Sequence, residues 1–201
     1  MNETEAKESI DLIKDMIGKT KKAAAYSGDI YIVWGILTLL AVLGTYLLVV
    51  LKLYQYIWIN WTVFMGAGAV YSVYLGITSE RRADLVTFAG RILGYTWFAC
   101  GISLGILAFV APLAGLYSPY MIPALVATVI GIGFFITGKV VQWTLFVWLA
   151  FLWWIGGSAM MFMKSESILL IFALLMSLGY LVPGFILRAN YKKVKKEQDE
   201  E

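Results

Sequence analysis

The sequence is dominated by five stretches that contain no charged side chain. They cover residues 30–51, 53–79, 92–138, 140–163 and 167–187. A helix needs about 20 apolar residues to cross roughly 30 Å of hydrocarbon, and each stretch reaches that length. Hydrophobic residues make up 61% of the chain and charged residues 14%, whereas a soluble domain is about half apolar and a quarter charged. The sequence therefore predicts an integral membrane protein.

The stretch from 92 to 138 is too long for one span and must fold back on itself. Residues 112–123, PLAGLYSPYMIP, combine three prolines, a glycine and two tyrosines, which is typical of a turn at the membrane–water boundary. No segment alternates apolar and polar residues as a membrane β-strand does. The predicted fold is an all-α bundle of six transmembrane helices, at 30–51, 55–78, 92–111, 120–138, 141–163 and 167–187.

The distribution of Lys and Arg predicts the orientation. With the N-terminus inside, fourteen of the 16 basic residues fall on the cytoplasmic side, and only Lys52 and Lys164 fall outside. Cytoplasmic loops carry such an excess in most membrane proteins. We expect a multi-pass protein of the plasma membrane with both termini in the cytoplasm. Its predicted parts are a cytoplasmic amphipathic helix and linker at 1–28, a transmembrane domain at 29–188 and a charged tail at 189–201.

Two cytoplasmic segments are candidates for contact with a partner or the membrane surface. In the first, Ile10, Ile13 and Ile17 form one apolar stripe of a short helix, which predicts a helix that lies on the leaflet or pairs with a protein; an ordinary cap on the cytoplasmic loops is the alternative. In the second, Arg81 and Arg82 stand beside acidic residues. They predict either a solvated turn or attraction to anionic lipid.

Two motifs imitate catalytic or nucleotide-binding sites. Residues 133–139, GFFITGK, resemble a phosphate-binding loop, but such a loop lies between a strand and a helix, and this segment ends a predicted span. Residues 101–105, GISLG, match the nucleophile pattern G-x-S-x-G, which requires a strand-to-helix turn and a base. This segment is predicted to be helical in mid-membrane. Neither motif is therefore expected to carry chemistry.

The residue inventory argues against catalysis and against bound metals. The chain has no histidine and one cysteine, and no carboxylate falls inside a predicted span. Proton relays and haem or iron–sulfur sites depend on such residues. We expect no enzyme activity, no catalytic residues, no metal and no cofactor. Basic residues do not form a groove with interleaved aromatics, so nucleic-acid binding is not expected either.

Neutral polar and aromatic side chains remain inside the spans. They predict an aromatic-lined pocket for a neutral ligand or a cation, with interfacial belts and ordinary helix packing as the alternative. The ligand-pocket candidates are Asn60, Tyr71, Ser72, Trp97, Ser103, Trp148 and Tyr180. Small residues at four-residue spacing let helices approach closely. The helix-packing candidates are Gly68, Ser72, Gly76, Gly101 and Gly105, whose partner helix belongs to this chain or to another copy.

A loose internal repeat of three hairpins is also visible. Trp34, Trp97 and Trp148 each lie in the early half of a predicted outward-running span. A pair of glycines follows in each returning span: Gly66 and Gly68, Gly131 and Gly133, and Gly179 and Gly184. Faint repeats of this kind are typical of transporters. Chance is the alternative, because both residue types are abundant in the chain.

Two non-enzymatic functions fit these features. The first is a small-molecule transporter, or the membrane subunit of one, with the lipid bilayer as its surroundings. In size, number of spans and cytoplasmic termini the chain resembles the substrate-binding subunits of energy-coupling-factor vitamin transporters, which implies a ligand-binding membrane subunit. The second is a scaffold or regulatory subunit that holds a protein partner, or a second copy, through the N-terminal helix and the small-residue faces. An enzyme acting on lipid is the weakest alternative.

Overall fold

The computed structural model describes residues 28–80 and 88–189. About 90% of the structure is helical, and the described ranges contain no strand. Six helices in these ranges are long and apolar enough to cross a membrane. The predicted all-α architecture with six candidate spans is therefore confirmed.

The helices follow the predicted spans within a few residues. They are α1 Gly28–Val50, α2 Ile57–Glu80, α3 Phe88–Gly105, α4 Ile122–Val141, α5 Thr144–Met161 and α6, which begins with Ser167–Met176. Helix α3 continues through the wider π-helical turn Ile106–Val110 into Ala111–Leu113, and short 3₁₀ turns at Tyr54–Tyr56 and Pro119–Met121 precede α2 and α4. The uncharged stretch 92–138 folds back at the turn that was predicted from its prolines, and Gly115 adopts φ +70° in that turn.

Helix α6 contains a second π-helical turn. Beyond Met176 it passes through Ser177–Leu181 and then continues to Ala189. The proline explains the position of this turn: Pro183 has no N–H to donate to the carbonyl one turn earlier, and Val182 N–H instead reaches back five residues to Ser177 O. Turns of this type inside α-helices frequently occur at functional sites.

The helices pack in a spatial order that differs from their order along the chain. Helix α1 lies between α2 and α6, and α4 lies between α3 and α5, while α5 also contacts α6. Helices α2 and α3 each pack mainly against one neighbouring helix. They are also buried least: over an 18-residue apolar segment, 6% of the residues of α2 and 11% of those of α3 are buried, against 50% in α4 and in α6. The two therefore form the outer parts of the bundle.

The first and last helices meet at one end of the bundle. Asp29 Oδ1 lies 3.5 Å from Arg188 Nε, and a Cβ on Gly28 would lie 2.9 Å from Arg188 N. Both ends of the six-helix unit therefore lie on the same side, as an even number of crossings requires. The predicted N-terminal helix with Ile10, Ile13 and Ile17 lies outside the described residues, as do Arg81, Arg82 and the charged tail beyond residue 189.

Candidate functional site

Helices α1 and α2 are joined by a tryptophan that lies directly on a glycine. A Cβ on Gly68 would lie 2.9 Å from Cη2 of Trp34, so the indole rests on bare backbone. Trp34 Nε1 donates to Ser72 Oγ at 2.9 Å. That hydroxyl in turn donates to Gly68 O at 2.9 Å. We call this arrangement the first Trp lock.

Helices α3 and α4 are joined by the same arrangement. A Cβ on Gly133 would lie 3.0 Å from Cη2 of Trp97. Trp97 Nε1 donates to Thr137 Oγ1 at 3.2 Å, and Thr137 Oγ1 donates to Gly133 O at 2.7 Å. This second Trp lock repeats the first one atom by atom, with threonine in place of serine.

The third predicted hairpin departs from this pattern. Trp148 is 68% exposed and joins no second helix through a lock. Gly179 of α6 instead contacts Trp153, and the residue four positions after it is Pro183, which has no hydroxyl to accept the indole N–H. The repeat predicted from tryptophan and glycine spacing is therefore present in the first two hairpins and altered in the third.

Six aromatic rings from five helices meet in the interior of the bundle. We call them the aromatic cluster; its members are Tyr31, Trp97, Phe134, Phe146, Trp153 and Tyr180. Phe134 is its centre and is fully buried. The Phe134 ring centroid lies 5.1 Å from that of Tyr180 and 5.7 Å from those of Trp97, Phe146 and Tyr31. Contacts at these distances are favourable for aromatic pairs, so the cluster holds α1, α3, α4, α5 and α6 together.

One polar group of the cluster is not satisfied. Trp153 is fully buried, and its Nε1 has no hydrogen-bond partner in the described part of the chain. A Cβ on Gly179 would lie 2.5 Å from this nitrogen, so the N–H edge of the indole faces the π-helical turn of α6. A buried donor without an acceptor is costly and uncommon in native proteins.

A groove runs along the outer side of the junction between α3 and α4. Its volume is about 460 Å³, and we call it the α3–α4 groove. The residues that line it are Tyr95, Thr96, Ala99, Cys100, Ser103, Val129, Ile132 and Ile136. The groove is open to the outside of the bundle. Its volume is within the range of small-molecule sites, and its wall is mostly apolar with a few polar groups, as in such sites.

The seven ligand-pocket candidates do not meet at one place. Trp97 and Tyr180 belong to the aromatic cluster, and Ser103 lines the α3–α4 groove. Ser72 belongs to the first Trp lock. Asn60 also lies between α1 and α2, where its Nδ2 donates to Ala41 O at 2.8 Å and to Thr45 Oγ1 at 3.2 Å.

The remaining two candidates lie near the surface of the bundle. Tyr71 is partly exposed on α2, and Trp148 is exposed on α5. The sequence did not indicate the central roles of Tyr31, Phe134 and Phe146. One feature of the sequence could have indicated the role of Phe134: it directly follows Gly133, the glycine of the second lock.

The helix-packing candidates divide into two groups. Gly68 and Ser72 lie between α1 and α2, where both contact Trp34. A Cβ on Gly76, Gly101 or Gly105 would meet no described atom within 4 Å. These three glycines therefore have no partner helix in the described part of the chain.

The two motifs that imitate known sites lie in helices. Gly133–Lys139 falls inside α4 and Gly101–Gly105 ends α3, so neither forms the loop or the elbow that its pattern requires elsewhere. Lys139 Nζ lies 5.5 Å from the centroid of the Phe135 ring. The described residues contain no group of three or more His, Cys, Asp or Glu side chains able to hold a metal ion.

No protein-family model matches the chain, and no curated protein or solved structure is significantly similar to it. The resemblance to vitamin-transporter subunits therefore stays one of size and helix number.

Proposed function

We propose that this chain is a non-enzymatic membrane protein that binds an uncharged, largely apolar small molecule in the α3–α4 groove. In this role it serves as a small carrier or as the ligand-binding membrane subunit of a transporter. The groove itself carries the proposal, because it combines the volume of a ligand site with a lining taken from two candidate transmembrane helices.

The lining favours an uncharged ligand. None of the eight residues of the groove is charged, and an ionised group in a low-dielectric setting is costly without a partner. The polar atoms available are the hydroxyls of Tyr95, Thr96 and Ser103 and the thiol of Cys100. Ser103 Oγ donates to Ala99 O at 3.0 Å, which leaves the serine oxygen free to accept one hydrogen bond from a ligand.

The position of the groove favours entry from the bilayer. From Tyr95 to Ser103 it extends about 12 Å along α3, at 1.5 Å per residue. The groove is on the outer side of α3, where Ile102 and Phe98 are 52% and 71% exposed. In a membrane that side faces lipid chains, so an apolar molecule reaches the groove without crossing water.

Filling the groove should remove the ligand. In the Ala99→Trp variant an indole occupies the centre of the lining, and we expect the bound molecule to be lost. Native mass spectrometry of protein gently extracted from its own host measures this, since a drug-sized ligand adds a mass on the order of a few hundred daltons. Wild-type protein should carry the added mass and Ala99→Trp should not.

The matched control places the same indole on the same helix outside the groove. Ile102 is on the outer face of α3 and does not line the groove, so Ile102→Trp should keep the ligand. The proposal is wrong if wild-type protein carries no added mass under mild activation, or if both variants retain it equally.

A second candidate function is a scaffold that holds another transmembrane helix. The observation in its favour is the open face of α3 at Gly101 and Gly105, on one of the two least-buried helices. Glycines at this spacing are a common contact between helices in membranes. In the Gly101→Ile, Gly105→Ile double variant we expect a co-purifying protein or second copy to be lost, as measured by chemical cross-linking in native membranes. A monomeric wild-type protein with no cross-linked partner would exclude this role.

A further inference from the structure

The second Trp lock lies beside the α3–α4 groove, toward the end of the groove at Tyr95 and Ile136. On α3, Trp97 is flanked by the lining residues Thr96 and Cys100. On α4, Gly133 lies between the lining residues Ile132 and Ile136. The lock therefore joins the two helices at the level where the groove runs between them.

The indole of Trp97 acts as a spacer between these helices. Its Cη2, Cζ3 and Cζ2 atoms lie 3.0, 3.1 and 3.2 Å from the position that a Cβ on Gly133 would take. The ring therefore contacts the α4 backbone and keeps the two helices apart by the size of the indole. A side chain larger than hydrogen at position 133 would push the ring or the helix aside. At this level the ring and the glycine keep α3 and α4 apart. A second contact between the same helices lies inside the groove, where Cys100 Sγ is 3.9 Å from Val129 O.

The orientation of this ring is fixed from two sides. Thr137, which is 2% exposed, gives its own hydrogen to Gly133 O and so presents a lone pair to Trp97 Nε1. On the cluster side the ring packs edge-on against Phe134, with centroids 5.7 Å apart at 85°. The Tyr31 side chain of α1 also hydrogen-bonds with Thr137 and Trp97. Without the Thr137 hydroxyl, the indole would keep only the contact with Tyr31 and the ring packing on the cluster side.

We propose that the second Trp lock sets the width of the α3–α4 groove, with Trp97 and Gly133 as specificity-determining residues and Thr137 as a positioning residue. This inference rests on the proposed function for its ligand but concerns the shape of the groove itself. Loss of the Thr137 hydroxyl allows the indole to turn toward the groove and narrows it. Bulky molecules are then excluded before small ones.

The first Trp lock provides an internal control. Trp34, Gly68 and Ser72 make the same contacts through the same atoms, but they lie between α1 and α2 and line no part of the groove. The Ser72→Ala variant therefore loses an equivalent hydrogen bond and should be destabilised to a similar degree. Any effect that is specific to groove width should appear in Thr137→Val and not in Ser72→Ala.

Cys100 reports how far the groove opens to a reagent, because it lines the groove, is only 7% exposed and is the only cysteine of the chain. The probes are N-ethylmaleimide and the much larger N-(1-pyrenyl)maleimide, with adducts counted by intact mass. Both reagents add to the same thiolate, so its ionised fraction cancels from the ratio of the two rates. We expect this ratio, large reagent over small, to fall roughly fivefold in Thr137→Val, the factor for a hydrogen bond of about 1 kcal/mol.

Thr137→Ser keeps the hydroxyl and should restore the wild-type ratio. An unchanged ratio in Thr137→Val, or an equal fall in Ser72→Ala, would overturn the inference. If Cys100 reacts with neither reagent, the ratio is measured at the more exposed position 103, in a Ser103→Cys, Cys100→Ala double variant. A ratio at this position that does not change in Thr137→Val would also overturn the inference. Absence of bound ligand from wild-type protein would count against the proposed function alone, since the ratio requires no ligand.

Discussion

The Phe134→Ala variant should lose about 3 kcal/mol of stability, near the lower end of the range for removing a buried phenylalanine. Phe134 is fully buried and its ring contacts five other rings, those of Tyr31, Trp97, Phe146, Trp153 and Tyr180. Because lipid is also apolar, little of the loss comes from transfer out of water. It comes from the missing ring contacts and from the cavity left where five helices meet.

Reversible unfolding in mixed micelles, monitored by circular dichroism, measures this loss. The control is Phe98→Ala on α3, which removes an equal ring that is 71% exposed. We expect the control to stay within about 0.5 kcal/mol of wild type, as exposed substitutions usually do. Equal losses in the two variants would mean that the aromatic cluster is not the core of the protein.

Gly179→Ala should also destabilise the protein strongly, although it adds a single methyl group. The new Cβ would lie 2.5 Å from Nε1, 2.7 Å from Cε2 and 2.8 Å from Cζ2 of Trp153. That indole is fully buried, so it cannot move away without displacing the ring contacts behind it. Overpacking of this kind costs about 1–3 kcal/mol.

The matched control is Gly101→Ala on α3, where the added Cβ meets no described atom within 4 Å. Removing a helical glycine there should stabilise the helix by about 0.5–1 kcal/mol. The two alanine variants should therefore shift the unfolding midpoint in opposite directions. A stable Gly179→Ala protein would show that the indole of Trp153 does not pack against α6 as described.

The six helices and the turn between α3 and α4 could be predicted from local properties of the sequence. The length of an uncharged apolar stretch decides whether a helix can cross a bilayer, and the prolines at 112, 119 and 123 mark where a longer stretch folds back. The Trp locks could be predicted in part. Trp34 and Trp97 each lie in the first helix of a hairpin, and glycines follow in the second helix.

The candidate site itself depended on the tertiary structure. Trp97, Trp148 and Trp153 are the same residue type, and all three lie in predicted spans. In the structure Trp97 lies between two helices, Trp148 is 68% exposed and Trp153 is fully buried. Likewise Gly101 and Gly105 fit a packing motif but face no neighbour in the described residues, whereas Gly133 and Gly179 each receive an indole.

Helix neighbours could not be predicted from the sequence because the helices lie in lipid and not in water. In water, a helix shows which face is buried by the polar residues on its other face. In a bilayer both faces are apolar, and helices associate through packing and a few hydrogen bonds. The number of helices and the places where they end could therefore be read from the chain alone. Packing of the helices decided which helices are neighbours, which ring lies at the centre and where the groove beside Trp97 forms.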